Sequence, residues 1–284
     1  MHTDFIAFWK QTLRKQLETG VTRTPPTSSS GAAWLSGWAK VCLIVGLTLY
    51  LGVGYDAGFI RINAAAAAYP DWVWQCLTVF GDERVAFALA LLFALRYPRV
   101  FWALVLAALI AAAYSRGFKA LFDTTRPPGM LAAGTFNLIG PSHTRASFPS
   151  GHSATAAVFF GVLIYYARWT WLRALFLTLA VLAGVSRIAV GVHWPVDVAA
   201  GLFGGALAAW LGAVLAARWP GPATNLQAHV AVVGLAVILA ITLLFDDGGY
   251  HAAATPLAVL GVLALGIAGT QYLIRPWLGY RRGS

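Results

Sequence analysis

The stretch WPVDVAAGLFGGALAAWLGAVLAA, residues 194–217, holds 24 residues of which one, Asp197, is charged, and Arg218 closes it. About 20 consecutive apolar residues carry an α-helix across the hydrocarbon of a bilayer, so this run reads as a membrane crossing. Seven more apolar runs bounded by charge, proline or glycine lie at about 38–56, 83–97, 99–118, 151–168, 171–190, 228–245 and 254–274, and eight crossings use most of the 284 residues. The composition agrees, with 59% hydrophobic and 11% charged residues, against about one quarter charged in an average soluble domain. A soluble fold and a disordered chain are both excluded on these grounds. The expected fold is all-α, a polytopic membrane protein.

Outward from the crossings, residues 1–37 form a polar tail carrying Lys10, Arg14, Lys15 and Arg23, with a Thr/Pro/Ser/Gly linker from Thr24 to Gly31. Phe5, Trp9, Leu13 and Leu17 recur every four residues opposite the bases, which suits either an interfacial helix or a frayed tail. Pro70 and Asp71 interrupt the chain before Trp72–Phe80, which reads as interfacial, and no signal-peptide cleavage is expected. His229 and His251, near span ends, also read as interfacial. Cys42 and Cys76 are isolated packing residues, offering no disulfide, zinc site or thiol chemistry. The formal charge of +10 sits on no soluble domain that could present it to nucleic acid, so no nucleic-acid partner is expected.

Alternating the connections across the bilayer sends thirteen of the twenty basic residues to one side and Arg61, Arg84, Arg116, Lys119, Arg126, Arg145 and Arg187 to the other. The positive-inside rule makes the richer side cytoplasmic, with both termini there. Three of the seven outward bases stand in a pattern with histidines and an aspartate. In Lys119-Ala-Leu-Phe-Asp-Thr-Thr-Arg126-Pro127 the spacing of seven is nearly two helical turns, placing both cations on one helix face, where they converge on an anion or snorkel to the interface. Ser147-Phe148-Pro149-Ser150-Gly151-His152-Ser153 announces a helix start, which is either an ordinary cap or an anion cradle with a proton donor in its first turn. In Ser186-Arg187, His193 and Asp197, the His and Asp at i, i+4 beside Trp194-Pro195 let the carboxylate hold one ring nitrogen and free the other as a nucleophile; a buried His/Asp pair with an anchoring Arg is the plainer reading. Taken together, Lys119, Arg126 and Arg187, two histidines, one carboxylate and free amides fit phosphoryl transfer, the cations acting where many enzymes use metal ions, and no metal or other cofactor is expected. His143 and Arg145, between the first two motifs, either touch a headgroup or are solvated. Gly201 and Gly205, with Gly204 and Gly212, read as close helix packing.

These three segments, in order, resemble the signature of the type 2 phosphatidic acid phosphatase (PAP2) superfamily. The resemblance implies a six-helix catalytic membrane core over 38–217; the last two apolar runs lie beyond it and read as two additional transmembrane helices with a cytoplasmic tail over 218–284, whose expected role is packing or a homo-oligomer face. It implies a metal-independent lipid phosphatase in which His193 is the nucleophile that becomes phosphohistidine, Asp197 orients it and His152 protonates the leaving group, while Lys119, Arg126, Ser150, Gly151 and Arg187 hold the phosphate. The substrate expected is a membrane lipid phosphate or diphosphate, undecaprenyl pyrophosphate in a bacterial inner membrane, attacked at the extracytoplasmic face. The alternatives are a lipid phosphotransferase using the same site, with lipid A as donor or acceptor, and a non-catalytic transporter or scaffold on the same fold.

Overall fold

The computed structural model describes residues 2–283; residues 1 and 284, the outermost of the two expected tails, lie outside the described residues. Helix α1 (His2–Thr22) turns Leu13 and Leu17 fully inward and leaves Lys10, Arg14 and Lys15 outward, which settles the tail as a helix lying on the bundle. Helix α2 (Ser29–Gly52) starts well before the expected residue 38, because Ser28 caps it and the small Gly31 lets it pass against the backbone of Tyr165. Short helices α3 (Phe59–Ala66) and α4 (Asp71–Thr78) follow, the latter covering the stretch read as interfacial.

The run at 83–97 differs from a full crossing. Helix α5 (Glu83–Leu91) has nine residues, about 14 Å at 1.5 Å per residue, less than half of a roughly 30 Å hydrocarbon layer. Turns carry the chain on to Pro98, where helix α6 (Pro98–Leu121) begins. This segment still joins the two ends of the molecule: Arg84 meets Asp246 at one end, and Leu95 lies against Gly20 of α1 at the other. Non-helical backbone at membrane depth is tolerated where protein covers it, and Ala88, Leu91 and Ala94 are completely buried.

After the one-turn helix α7 (Pro127–Met130) and an irregular loop come α8 (Gly151–Tyr166), α9 (Thr170–Ala189) and α10 (Pro195–Arg218). The hairpin of α12 (Leu226–Thr242) and α13 (Ala254–Gly269) is preceded by the one-turn α11 (Gly221–Thr224) and runs through a π turn into α14 (Arg275–Gly283). Among the described residues there is no strand. Among these residues five helical stretches are long and apolar enough to cross a membrane: α2, α6, α9, α10 and the continuous 251–282 run; α8 and α12 are shorter apolar helices. Large apolar side chains such as Ile44, Leu109, Leu235, Ile238 and Val262 remain more than half exposed, as expected of helices that are apolar all round and face lipid.

Helix α10 is the centre of the bundle. A Cβ added at Gly201 or Gly205 would sit 2.4 Å from the carbonyl oxygen of Ser150 or Ala154 in α8, and one at Gly212 would sit 2.7 Å from that of Ala103 in α6. Glycine permits these backbones to touch, and van der Waals packing of this kind holds helices together in a medium that supplies no hydrophobic drive between them.

One end of the bundle gathers α1, α14 and the start of α6, with Arg173 bonded to the carbonyl of Ala167 at 2.7 Å and to Ser30 Oγ at 2.9 Å. The other end gathers the loops after α2, α6, α9 and α12, and with them all three signature segments. His229, expected at an interface, is instead buried in the hairpin, its Nε2 2.7 Å from Tyr272 Oη. In a protein whose two cysteines are replaced by alanine, single cysteines at Ser142 and Thr170 should react from opposite sides of the membrane. A membrane-impermeant thiol reagent on intact cells is expected to label one of the two, and permeabilisation to expose the other; labelling of both in intact cells would contradict the fold.

Candidate active site

The site is assembled around the first turn of α10. Pro195 opens the helix, and the third residue in, Asp197, turns its carboxylate back to accept the amide of Trp194 at 3.0 Å. The same oxygen, Oδ2, lies 3.1 Å from His193 Nδ1 and accepts Ser147 Oγ–H at 2.5 Å. Oδ1 accepts the phenol of Tyr55. A fully buried carboxylate in an apolar bundle must have its lone pairs met, and here they are met from three separate parts of the chain. With Nδ1 directed at the carboxylate, the second ring nitrogen of His193, Nε2, is left for chemistry.

His193 reaches this position because α9 stops at Ala189 and Gly191 takes φ +82°. A Cβ there would be strained and would lie 2.5 Å from the carbonyl of Asn137. Asn63 locks the same corner: its Nδ2 donates to the carbonyls of Asn137 at 2.9 Å and Ile188 at 3.0 Å, and its Oδ1 accepts the Asn137 amide at 2.8 Å.

The second segment meets the third through the backbone, since the Ser150 amide donates to the carbonyl of Asp197 at 3.0 Å. Ser150 caps α8 through its Oγ, which accepts the Ser153 amide at 3.3 Å. The amides of Gly151 and His152, in the first turn, have no carbonyl within the helix to bond. Cβ of His152 packs against Gly81, where any side chain would collide at 2.6 Å.

The first segment corrects the sequence reading. Lys119 and Arg126 do not share a helix face, because α6 ends at Leu121. Residues 122–126 turn tightly, the Thr124 amide donating to the Phe122 carbonyl, and then meet 144–148: Arg126 N donates to Thr144 O, Ser147 N to Thr124 O, and Phe148 N to Thr124 Oγ1. Two β-branched threonines and a residue held extended by the following proline disfavour continued helix. Arg126 then bonds the carbonyl of Arg145 through Nε at 2.8 Å. The two cations converge all the same, from a helix end and a loop, and Lys119, Arg126, Arg187, His152 and His193 all lie within each other's electrostatic reach.

Arg187, 2% exposed, donates through Nη1 to Thr78 Oγ1 at 2.5 Å and Tyr250 Oη at 2.9 Å. Burial, and then the charges of Arg126, Arg187 and Lys119, hold the imidazole of His193 well below its ordinary pKa, so the ring is neutral at pH 7. Burial and then the charge of Arg187 bring the Arg126 guanidinium down to about 10. The Tyr55 phenol moves up, through burial and then the charge of Asp197, and keeps its proton to donate. His143 stands in the exposed loop facing the same cations; desolvation and then the charges of Arg126, Arg187 and Lys119 lower its pKa. Arg145, in contrast, is exposed and reaches only Asp123, at 4.0 Å.

Beside this polar centre an apolar groove of about 540 Å³ opens between α2, α6 and α10, walled by Leu47, Tyr50, Phe118, Phe122, Phe148 and Phe203. Tyr55 and Thr124, which lie 3.2 Å apart at the edge of the site, also line the groove. Tyr55, Ser147, Thr78 and Tyr250 are participants that sequence reasoning missed. Only Ser147 carried a signal, its place at the edge of the second motif. Among the described residues, no group of three or more His, Cys, Asp or Glu side chains is placed to hold a metal ion.

Residues 99–220 match the family described as the PAP2 superfamily. Residues 99–220 form a PAP2 superfamily domain. It is 29% identical over 184 residues to an undecaprenyl-diphosphatase of Sulfolobus acidocaldarius, covering 58% of this chain and 83% of that protein. It is 42% identical over 73 residues to a lipid A 1-phosphatase of Rhizobium johnstonii, covering 25% of this chain and 29% of the relative. The crystal structure of Aquifex aeolicus LpxE superposes with a TM-score of 0.49 at 28% identity, over 54% of this chain and 91% of that one. All three signature segments fall inside the PAP2 domain, whereas Tyr55, Thr78 and Tyr250 lie outside it.

Because Asp197 relies on donors from separate segments, Ser147→Ala should destabilise the protein as well as the site. Losing one donor to a buried carboxylate costs about 1–3 kcal/mol, read as a lower thermal midpoint in detergent, whereas Ser142→Ala in the exposed part of the same loop should leave the midpoint unchanged.

Proposed function

We propose that the protein is a metal-independent lipid phosphatase that hydrolyses a lipid phosphate or diphosphate through a phosphohistidine. The observation that carries this reading is the pairing of a buried, neutral His193 with Asp197 in the midst of three cations and the open first turn of α8. In the proposed step, Nε2 of His193 attacks phosphorus while the bond from phosphorus to the lipid-side oxygen breaks. His152, protonated in the substrate complex, gives its proton to that oxygen. The phosphorus–nitrogen bond of the phosphohistidine is then broken by water, whose proton returns to His152, releasing inorganic phosphate and regenerating His193. Asp197 holds Nδ1 protonated and balances the positive charge that develops on the ring. Lys119, Arg126 and Arg187, with the amides of Gly151 and His152, stabilise the equatorial oxygens of the transition state. Ser150 caps the helix that presents those amides, its Oγ accepting the Ser153 amide, and keeps its hydroxyl proton to donate to the phosphate.

The apolar groove supports a substrate with a hydrocarbon tail, since Tyr55 and Thr124 border both the groove and the polar centre. The similarity to an undecaprenyl-diphosphatase makes a polyprenyl diphosphate the first candidate. Lipid A 1-phosphate is the second candidate, on the similarity to the Rhizobium phosphatase. The distribution of Lys and Arg supports an extracytoplasmic site with cytoplasmic termini.

Replacing the nucleophile tests the mechanism directly. A His193→Ala protein that remains folded should lose phosphate release from polyprenyl diphosphate by about 10⁴-fold or more, because the remaining cations supply no bond-forming atom. Undiminished turnover by that variant would sink the phosphohistidine. Because the cations occupy the role of metal ions, EDTA should leave the wild-type rate unchanged and orthovanadate should inhibit as a trigonal-bipyramidal mimic of the transition state. Loss of activity in EDTA with recovery on adding Mg²⁺ would contradict that arrangement.

A further inference from the structure

The hairpin of α12 and α13 lies beyond residue 220, where the PAP2 domain ends, yet its turn reaches the most buried cation of the site. Arg187 is anchored at a single corner: Nη1 donates both to Thr78 Oγ1, at 2.5 Å, and to Tyr250 Oη, at 2.9 Å. Its Nε is buried and has no hydrogen-bond partner. A buried N–H on a charged group without an acceptor is costly, and such a group among the cations of a phosphate site is satisfied when a phosphate oxygen arrives.

Tyr250 is fixed as firmly as the arginine it holds. It is 4% exposed, and its ring lies so close to Gly140 that a Cβ there would stand 2.7 Å from Cε1. The turn around it is clamped to the core on two sides, by Arg84 Nη1 on Asp246 Oδ2 at 2.9 Å and by the Ala252 amide on Gln75 Oε1 at 2.9 Å. Within the turn, Asp247 Oδ1 accepts the Gly249 amide at 2.8 Å. A turn that served only to join two helices would need neither clamp, nor a hydroxyl delivered to a guanidinium.

We propose that the C-terminal hairpin is part of the phosphate site: Tyr250 is a positioning residue that, with Thr78, fixes Arg187 so that its free Nε–H is presented to a phosphate oxygen. This rests on the phosphatase reading and adds to it an element from outside the family domain. Arg187 has five N–H donors, and without a hydroxyl to hold one end the guanidinium can rotate and spend Nε on another acceptor. Pre-organisation of this kind is worth more in the transition state than in the resting enzyme, because the donor is then already aligned when charge accumulates on the equatorial oxygens.

The test compares the full-length wild type, Tyr250→Phe, Thr78→Val, Arg187→Lys, the Tyr250→Phe/Arg187→Lys double variant and Tyr272→Phe, all in detergent. Phosphate release from polyprenyl diphosphate, orthovanadate inhibition and thermal midpoint are measured for each. Tyr250→Phe keeps the ring against Gly140 and removes only the acceptor. It should lower kcat/KM about tenfold, mostly through kcat, and raise the vanadate inhibition constant by a similar factor with little change in thermal midpoint. Thr78→Val should act in the same direction. In the Arg187→Lys background the Tyr250→Phe effect should vanish, because no guanidinium remains to be held. Tyr272→Phe, which removes a hydroxyl bonded to His229 in the same hairpin but away from the site, should leave activity unchanged. An active wild type with unaltered Tyr250→Phe kinetics overturns the inference alone, as does a Tyr250→Phe loss of equal size with and without Arg187. A wild type that neither releases phosphate nor binds vanadate overturns the phosphatase reading, and this inference with it.

Discussion

A single buried carboxylate organises this end of the molecule. Asp197 has no exposed surface, and it stands at the head of the helix that every other long helix of the core packs around. Leaving such a group without donors would cost several kcal/mol, so the chain must bring donors to it. Tyr55 comes from the loop after α2, Ser147 from the loop before α8, and His193 and the Trp194 amide from the turn after α9. Satisfying one carboxylate therefore fixes the relative positions of three segments far apart in sequence. The same bonds that remove an energetic liability also orient the histidine.

The apolar bundle makes that arrangement possible by being close-packed where it meets the site. Glycines on α10 let α8 approach to backbone contact just below Ser150, so the open first turn of α8 is held against Asp197 and not merely near it. The cations sit above, on loops and helix ends, where insertion of several Arg and Lys costs far less than the roughly 2.5–3.5 kcal/mol each at the bilayer centre. Burial, and then the charge of Arg187, lower the pKa of Arg126, and an anion relieves the repulsion between the two. A site of this build is poised for a dianionic ligand in the same way that an oxyanion hole is poised for charge not yet formed.

The groove beside Tyr55 and the turn carrying Tyr250 approach the same centre from different sides. One is apolar and opens toward the exposed faces of α2 and α6; the other is polar and closes over Arg187. The two surfaces match the two chemical halves of an amphiphilic phosphate. Their division of labour also explains why the residues of the family domain alone do not complete the site: Tyr55 and Thr78 precede that domain and Tyr250 follows it.

The membrane class, the course of α6, α9 and α10 and the polar residues that gather at one end of the bundle were legible in the sequence because they depend on local quantities. Apolar run length sets α6, α9 and α10 to within three residues of the bounds read from composition, and the His193–Asp197 pair follows from an i, i+4 spacing beside a proline. Glycine spacing on α10 likewise announced close packing. The geometry of Lys119 and Arg126 did not follow from spacing, because the helix between them ends where residues 122–126 find backbone partners at 144–148, and pairing across some twenty residues leaves no periodic trace. The broken course of 83–97 depends on cover from α12 and α13, more than a hundred residues away. Tyr55, Thr78 and Tyr250 are ordinary residues in ordinary surroundings until folding brings their hydroxyls to Asp197 and Arg187. Sequence alone determined which charged groups had to be accommodated in an apolar protein; tertiary structure decided which distant polar groups satisfy them, since hydrogen bonds to a buried charge are made with whatever the fold places within about 3 Å.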